Sequence, residues 1–246
     1  MFEPLRALGL LTAAIILSPL AMSDHHQAQP ADASSETLRH AVFFEWNDDA
    51  SESDINEVVA AFNALPDKID AIKSYASGPN VNDGGSAADL DHAFLVTFAS
   101  DEKRATYLPH PDHKAFGDVL RPHLKSVFVI DYWGTPNQSD GDFKHAVFFK
   151  FNDDADPEAI DDVVSTFLGL GSKIDGVTHI DGGKNNSPER HDKGFTHGFV
   201  VSMTGPEVLK SYGPHPAHQT LVKKLKPIMK EVRVIDFPVE IEKGND

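Results

Sequence analysis

The chain carries the same segment twice, at an offset of 105 residues and without a gap. His40-Ala41-Val42-Phe43-Phe44 falls on His145-Ala146-Val147-Phe148-Phe149, and Asn47-Asp48-Asp49-Ala50 falls on Asn152-Asp153-Asp154-Ala155. Lys68-Ile69-Asp70 meets Lys173-Ile174-Asp175, and Val129-Ile130-Asp131 meets Val234-Ile235-Asp236. The longest shared motif runs from Tyr107 through Pro109, His110 and Pro111 to His113, and again from Tyr212 through Pro214, His215 and Pro216 to His218. A period this long is a small domain used twice, not a solenoid unit. Each copy buries only a modest core and gains from packing against its neighbour.

Charge narrows the partners. Lys and Arg number 22 against 38 Asp and Glu, a formal net charge of -16. Nucleic acid needs a basic footprint, so it is excluded as a partner, and anionic membrane surfaces are disfavoured. The absence of cysteine removes disulfides, thiolate nucleophiles and Cys-type zinc sites. At the N-terminus Arg6 precedes a run over residues 7–20 that is apolar apart from Thr12 and Ser18, followed by Ala21-Met22-Ser23. That is the pattern of a cleaved export signal over residues 1–23, and it predicts a periplasmic or extracellular protein with no membrane attachment after cleavage, with an uncleaved N-terminal anchor as the alternative. The run is short for a membrane span. Residues 24–37 read as a polar disordered spacer. Domains are expected over 38–134 and 143–239, joined by a linker at 135–142 and followed by a tail at 240–246.

Within one copy, residues 40–46 alternate as a strand. His40, Val42, Phe44 and Trp46 share one face, and Ala41, Phe43 and Glu45 share the other. Ser51 or Ser53 can cap the next element. There Ile55, Val58, Val59 and Phe62 recur at helical spacing, as Ile160, Val163, Val164 and Phe167 do in the second copy. A strand over 72–77, stopped by Gly78-Pro79, a polar loop and a strand over 92–98 follow. A helical turn over 102–107 precedes a helix that starts at Pro111 and runs to about residue 124. A last strand covers 126–132. The order β-α-β-β-α-β is a ferredoxin-like split unit, in an α+β fold. Several strands are apolar on both faces, so one sheet face needs cover beyond its own helices. Two such repeats packed sheet to sheet would form an intramolecular α/β barrel, a pseudo-dimer held by its tether.

The residues suited to chemistry are histidines and tyrosines. Tyr107 with His113, and Tyr212 with His218, pair a phenol that can hold a carbonyl with an imidazole that can move a proton near neutral pH. They are the candidate catalytic residues. His40, His92, His110, His145, His197 and His215 are candidate ligand-binding residues, four of them at strand starts on the bulky apolar face. Antiparallel pairing can put His40 and His92 at opposite ends of the sheet, and His110 and His215 can equally serve as helix caps. His110-x-x-His113 could hold a metal, but no third ligand has matching spacing, so no metal is assigned. No Gly-rich phosphate loop or nucleophile elbow occurs, and no cofactor is expected.

Together, the opening His-x-Val-x-Phe strand, the glycine after the second strand, the third strand beginning with His, the Tyr-x-x-His-Pro-x-His motif and the final Asp-Tyr or Asp-Phe resemble the stress-responsive A/B barrel (Dabb) family over both repeats. The resemblance implies the dimeric α/β-barrel fold. It also implies one of two functions: a stress-associated protein with a pocket for an apolar or phenolic ligand, or a cofactor-free lyase or cyclase. A plant cyclase of the family closes a linear polyketide by aldol condensation with a histidine, matching His113 and His218, and a tyrosine, matching Tyr107 and Tyr212. Its pocket histidines match His40 and His92, and His145 and His197 in the second copy. Phe116-Gly117-Asp118-Val119 also follows that family's helix, whereas Thr220-Leu221-Val222-Lys223 departs from it, so the first repeat is the better candidate for a working pocket.

Overall fold

A computed structural model describes residues 36–82, 84, 89–135 and 141–244. The expected export signal and nearly all of the spacer lie outside the described residues, as do residues 136–140 of the linker.

The first repeat runs β1 (Thr37–Trp46), α1 (Glu52–Asn63), β2 (Ile72–Pro79), β3 (His92–Phe98), α2 (Asp101–Tyr107), α3 (Pro111–Leu120) and β4 (Leu124–Gly134). The second runs β5 (Phe143–Phe151), α4 (Pro157–Leu168), β6 (Val177–Lys184), β7 (His197–Met203), α5 (Leu209–Tyr212) after a short 3-10 turn, α6 (Pro216–Leu225) and β8 (Met229–Pro238). A last strand, β9 (Ile241–Gly244), closes the chain. The sheets are ordered β4-β1-β3-β2-β9 and β6-β7-β5-β8, and their pairings are antiparallel.

Local chemistry sets the helix ends. Ser51 forms a capping box with Asp54, which satisfies the first amides of α1. Val58 and Phe62 on its inner stripe are buried. Pro111 and Pro216 open α3 and α6 at positions where a missing N–H costs nothing. The helix after Pro111 ends at Leu120, earlier than periodicity suggests, because the apolar residues from Leu124 onward already belong to β4.

Alternation divides the strand residues between two kinds of core. Val42, Phe44, Val96 and Phe98 face the helices of the first repeat. Val147, Phe149, Phe199 and Val201 do the same in the second. The opposite faces meet each other: Ala41, Phe43, Phe128 and Ile130 pack with Ala146, Phe148, Val200 and Ile235. The Phe43 and Phe148 rings meet edge to face with centroids 5.1 Å apart. Each buried phenylalanine here is worth about 1.5–3 kcal/mol relative to exposure, which a lone repeat would forfeit. Arg39 crosses the same interface to a buried 2.7 Å ion pair with Asp181. β4 runs beside β6, and β2 beside β8, so the sheets close on each other as the expected pseudo-dimer.

Two local expectations change. β2 continues through Gly78-Pro79, because a Cβ at Gly78 would lie 1.9 Å from the Pro238 carbonyl oxygen; the glycine permits close approach of the second repeat. Residues 241–244 of the tail are an edge strand on β2, anchored by Lys243 donating to Asp67 at 2.7 Å.

Candidate functional site

Strand register brings the first site together. In β1 and β4, His40 lies directly opposite Asp131, and the His40 Nδ1 is 2.7 Å from Asp131 Oδ1. The other carboxylate oxygen accepts from Arg104 Nη1 at 2.6 Å, and both side chains are buried. Burial alone would push His40 down; Asp131, with a smaller contribution from Glu189, outweighs it against the opposing Arg104 and leaves His40 above the ordinary histidine value. The Tyr107 ring stands edge-on to His40, with centroids 5.8 Å apart, and lies 4.3 Å from His113.

His113 is held by its Nδ1, 3.0 Å from the Leu108 carbonyl. A carbonyl can only accept, so Nδ1 carries the hydrogen and Nε2 keeps its lone pair. Burial is the main reason its pKa falls below the usual value, so the neutral, basic form dominates near pH 7. The Tyr107 hydroxyl is buried and has no hydrogen-bond partner among the described residues. Burial first, then the Glu189 carboxyl, raises it well above the usual phenol, so it is a donor and not a phenolate. His40, Tyr107 and His113 line a cavity of about 650 Å³ with Val42, Phe44 and Phe116. Its volume lies in the range of small-molecule sites; apolar side chains make most of its wall, and the charged Lys114, Asp118, Arg121 and Glu189 also line it.

The other predicted histidines divide. His110 and His215 accept the amide hydrogens of Asp112 and Ala217 through Nδ1, so both are helix caps, and His110 does not line the cavity. Capping is the alternative the sequence offered for both: proline at the first helical position leaves the preceding histidine in capping position. His92 pairs with Phe44 while His40 pairs with Val96, which places the two histidines at different ends of the β1–β3 ladder. His92 stacks on Phe94, and His197 meets Phe151 edge-on. Burial pushes each of these two down to about 4. Neither belongs to the cavity of the first repeat.

The second repeat keeps part of the arrangement. His145 Nδ1 lies 2.6 Å from Asp236 Oδ1, and His218 Nδ1 lies 2.9 Å from the Gly213 carbonyl. The Tyr212 hydroxyl is again buried without a partner among the described residues. Leu209 occupies the place of Arg104, and the Asn82 side chain donates through Nδ2 to Asp236 Oδ2 instead. Among the described residues no group of three or more His, Cys, Asp or Glu is placed to hold a metal ion.

Asp131, Arg104 and Glu189 escape the sequence reading. Asp131 carried a signal, since Val-Ile-Asp recurs at the end of both repeats. Arg104 has no counterpart in the second copy, and Glu189 lies in a polar loop with no periodicity.

A family model described as the stress responsive A/B barrel domain, Dabb, matches residues 38–134 and again 143–239. A stress-response A/B barrel domain-containing protein of Arabidopsis thaliana is 27% identical over 214 residues, covering 85% of this chain and 78% of that protein. Olivetolic acid cyclase of Cannabis sativa is 28% identical over 95 residues, 39% of this chain and 94% of the cyclase. Among solved structures, an anthrone oxidase-like protein covers 85% of this chain and 93% of its own at a TM-score of 0.65 and 10% identity, a likeness of fold.

Proposed function

The chain belongs to the stress responsive A/B barrel family, as a tandem member, and from that premise we propose that its first repeat binds a small apolar or phenolic molecule. One observation carries this reading: the Tyr107 hydroxyl is buried with no partner among the described residues, beside a largely apolar cavity of about 650 Å³. A buried donor with nothing to donate to is costly, and a ligand oxygen would relieve it. The His113 ring lies 4.3 Å from that of Tyr107 and lines the same cavity.

The test is native mass spectrometry of the untagged protein purified from its own host, beside a His113→Ala/His218→Ala double variant. A small molecule retained by the wild type and lost in the variant is the expected result. An empty wild type of unchanged stability would overturn the reading. Export, for which the apolar run at residues 7–20 speaks, belongs to the same proposal. N-terminal sequencing of the mature chain should find residues 1–23 removed.

A second reading is favoured by the state of His113. Its neutral imidazole, anchored at Nδ1, could take a proton from carbon next to a carbonyl while Tyr107 donates to the carbonyl oxygen, with no cofactor. The likeness to olivetolic acid cyclase supports that chemistry class for the first repeat. Under it His113→Phe abolishes turnover of a small carbonyl compound while the fold persists. Retained turnover would refute it.

A further inference from the structure

The loop after β6 leaves the second repeat and lies along β4 of the first. The Asn186 amide donates to the Asp131 carbonyl at 2.8 Å, and the Asn185 side chain accepts from the Asp131 amide at 3.1 Å. Arg104 donates to the Asn186 side chain at 2.8 Å. Farther along, the Val129 amide donates to the His191 carbonyl at 3.3 Å. Glu189 lies between these two attachments, and it lines the cavity of the first repeat. Arg190, which follows it, is held at φ 62°, a left-handed conformation that non-glycine residues adopt only when their surroundings impose it.

Glu189 Oε2 is buried and accepts no hydrogen bond from a described residue. Its nearest ionic neighbour is His40 Nδ1 at 3.7 Å, whose hydrogen already goes to Asp131. The cavity lining therefore includes, among the described residues, an acceptor atom without a donor, Glu189 Oε2, and a donor without an acceptor, the Tyr107 hydroxyl. Such a pair left open in protein is expensive unless something with both groups fills it.

The reciprocal loop differs. Asn80 accepts from the Asp236 amide and Val81 donates to the Asp236 carbonyl, so the first repeat straps onto β8 in the same way. At the position equivalent to Glu189, however, stands Gly84, which has no side chain.

We infer that the ligand site of the first repeat is built by both repeats, with Glu189 of the second repeat accepting a hydrogen bond from a hydroxyl group on the ligand. This rests on the small-molecule reading above and adds to it the ligand's donor group and the non-equivalence of the two repeats. Among the described residues the reciprocal loop offers no acceptor at the position of Glu189, which assigns this form of the site to the first repeat.

Two readouts test it. The first needs no ligand: the imidazoles of His40 and His145 are titrated by NMR in the wild type and in Glu189→Gln. The groups facing His40 are Asp131 and Arg104, Tyr107 and His113 on the helices, and Glu189. Removing one negative charge should lower the His40 midpoint and leave that of His145 unchanged. Unchanged or equally shifted midpoints would overturn the cross-repeat contact.

The second readout uses phenol and anisole, which share a ring and differ in the O–H. A hydrogen bond to a charged acceptor should make phenol bind about tenfold tighter. Glu189→Ala should bring phenol to the level of anisole while His113 resonances still respond. A phenol preference that survives in Glu189→Ala, or equal affinity in the wild type, would overturn the role of Glu189 and leave the pocket standing. No shift at His113 with either compound would overturn both.

Discussion

Replacing Tyr107 by phenylalanine should sacrifice binding without sacrificing stability. In most cores, deleting a buried hydroxyl costs about 1–2 kcal/mol because its partner is stranded. Tyr107 has no partner among the described residues to strand, so only the desolvation cost of the hydroxyl is removed. On mutational scales that cost is about 1–3 kcal/mol, so Tyr107→Phe should gain about 1–3 kcal/mol. For a chain of this size a gain of 1 kcal/mol raises the melting temperature by about 2–4 °C. Tyr75 supplies the contrast: equally buried, it donates to the Asn63 side chain, and Tyr75→Phe should lose about 1–2 kcal/mol. Calorimetry or urea unfolding of the two variants, beside binding of phenol, decides the matter. Opposite signs of stability change, with binding lost only in Tyr107→Phe, are expected. If Tyr107→Phe destabilises as much as Tyr75→Phe, the hydroxyl has a structural partner and its role as an open ligand contact fails.

Gly117→Val should weaken ligand binding while leaving the melting temperature unlowered: Val222 stands at this place in the second repeat, and an added Cβ meets nothing closer than Arg121 Nη2 at 3.8 Å, so a drop in stability would refute the free space assigned to the cavity wall. Gly78→Ala should destabilise by about 1–3 kcal/mol or more, because its Cβ would sit 1.9 Å from the Pro238 carbonyl oxygen across the repeat interface; a neutral variant in thermal unfolding would show that the sheets are farther apart. His92 and His197, pushed down to about 4 in the fold, bind fewer protons folded than unfolded, so they stabilise above pH 6.5 and lose that contribution as pH falls through 4. Each contributes at most about 1.4 kcal/mol per pH unit in that window. A His92→Phe/His197→Phe variant should therefore show a flatter stability profile between pH 6.5 and 4, and parallel profiles would refute the assignment. His40, raised in the fold, acts in the opposite sense: its contribution is present below pH 6.5 and declines as pH rises through its folded pKa.

The sequence shows most clearly what depends on local periodicity. The alternation from His40 to Trp46 and the i, i+3, i+4, i+7 stripe from Ile55 to Phe62 appear in both copies, so the strand, the helix and the faces they bury are readable without coordinates. The placement of His40 toward Tyr107 and His113 follows from the same alternation. What periodicity does not encode is register across strands and contact between repeats. Asp131 is plain in the sequence, but its pairing with His40 exists only because β1 and β4 align those two residues. Arg104 and Glu189 reach the site from places where the two copies differ, so the internal comparison hides them. The strand β9 is four residues of mixed polarity held by backbone pairing to β2, which leaves no side-chain pattern to read. His110 and His215 share a motif with His113 and His218, yet their capping role comes from the backbone turn before each proline.

The proposed ligand site lies in the first repeat and is enclosed by both repeats. Crystals soaked in 4-bromophenol test it most directly, because bromine's anomalous scattering counts and locates the bound molecules. One bromine peak in the first-repeat cavity is predicted, with the phenol oxygen within hydrogen-bond reach of Tyr107 and Glu189. Peaks of equal height in both repeats, or none in that cavity, would contradict it.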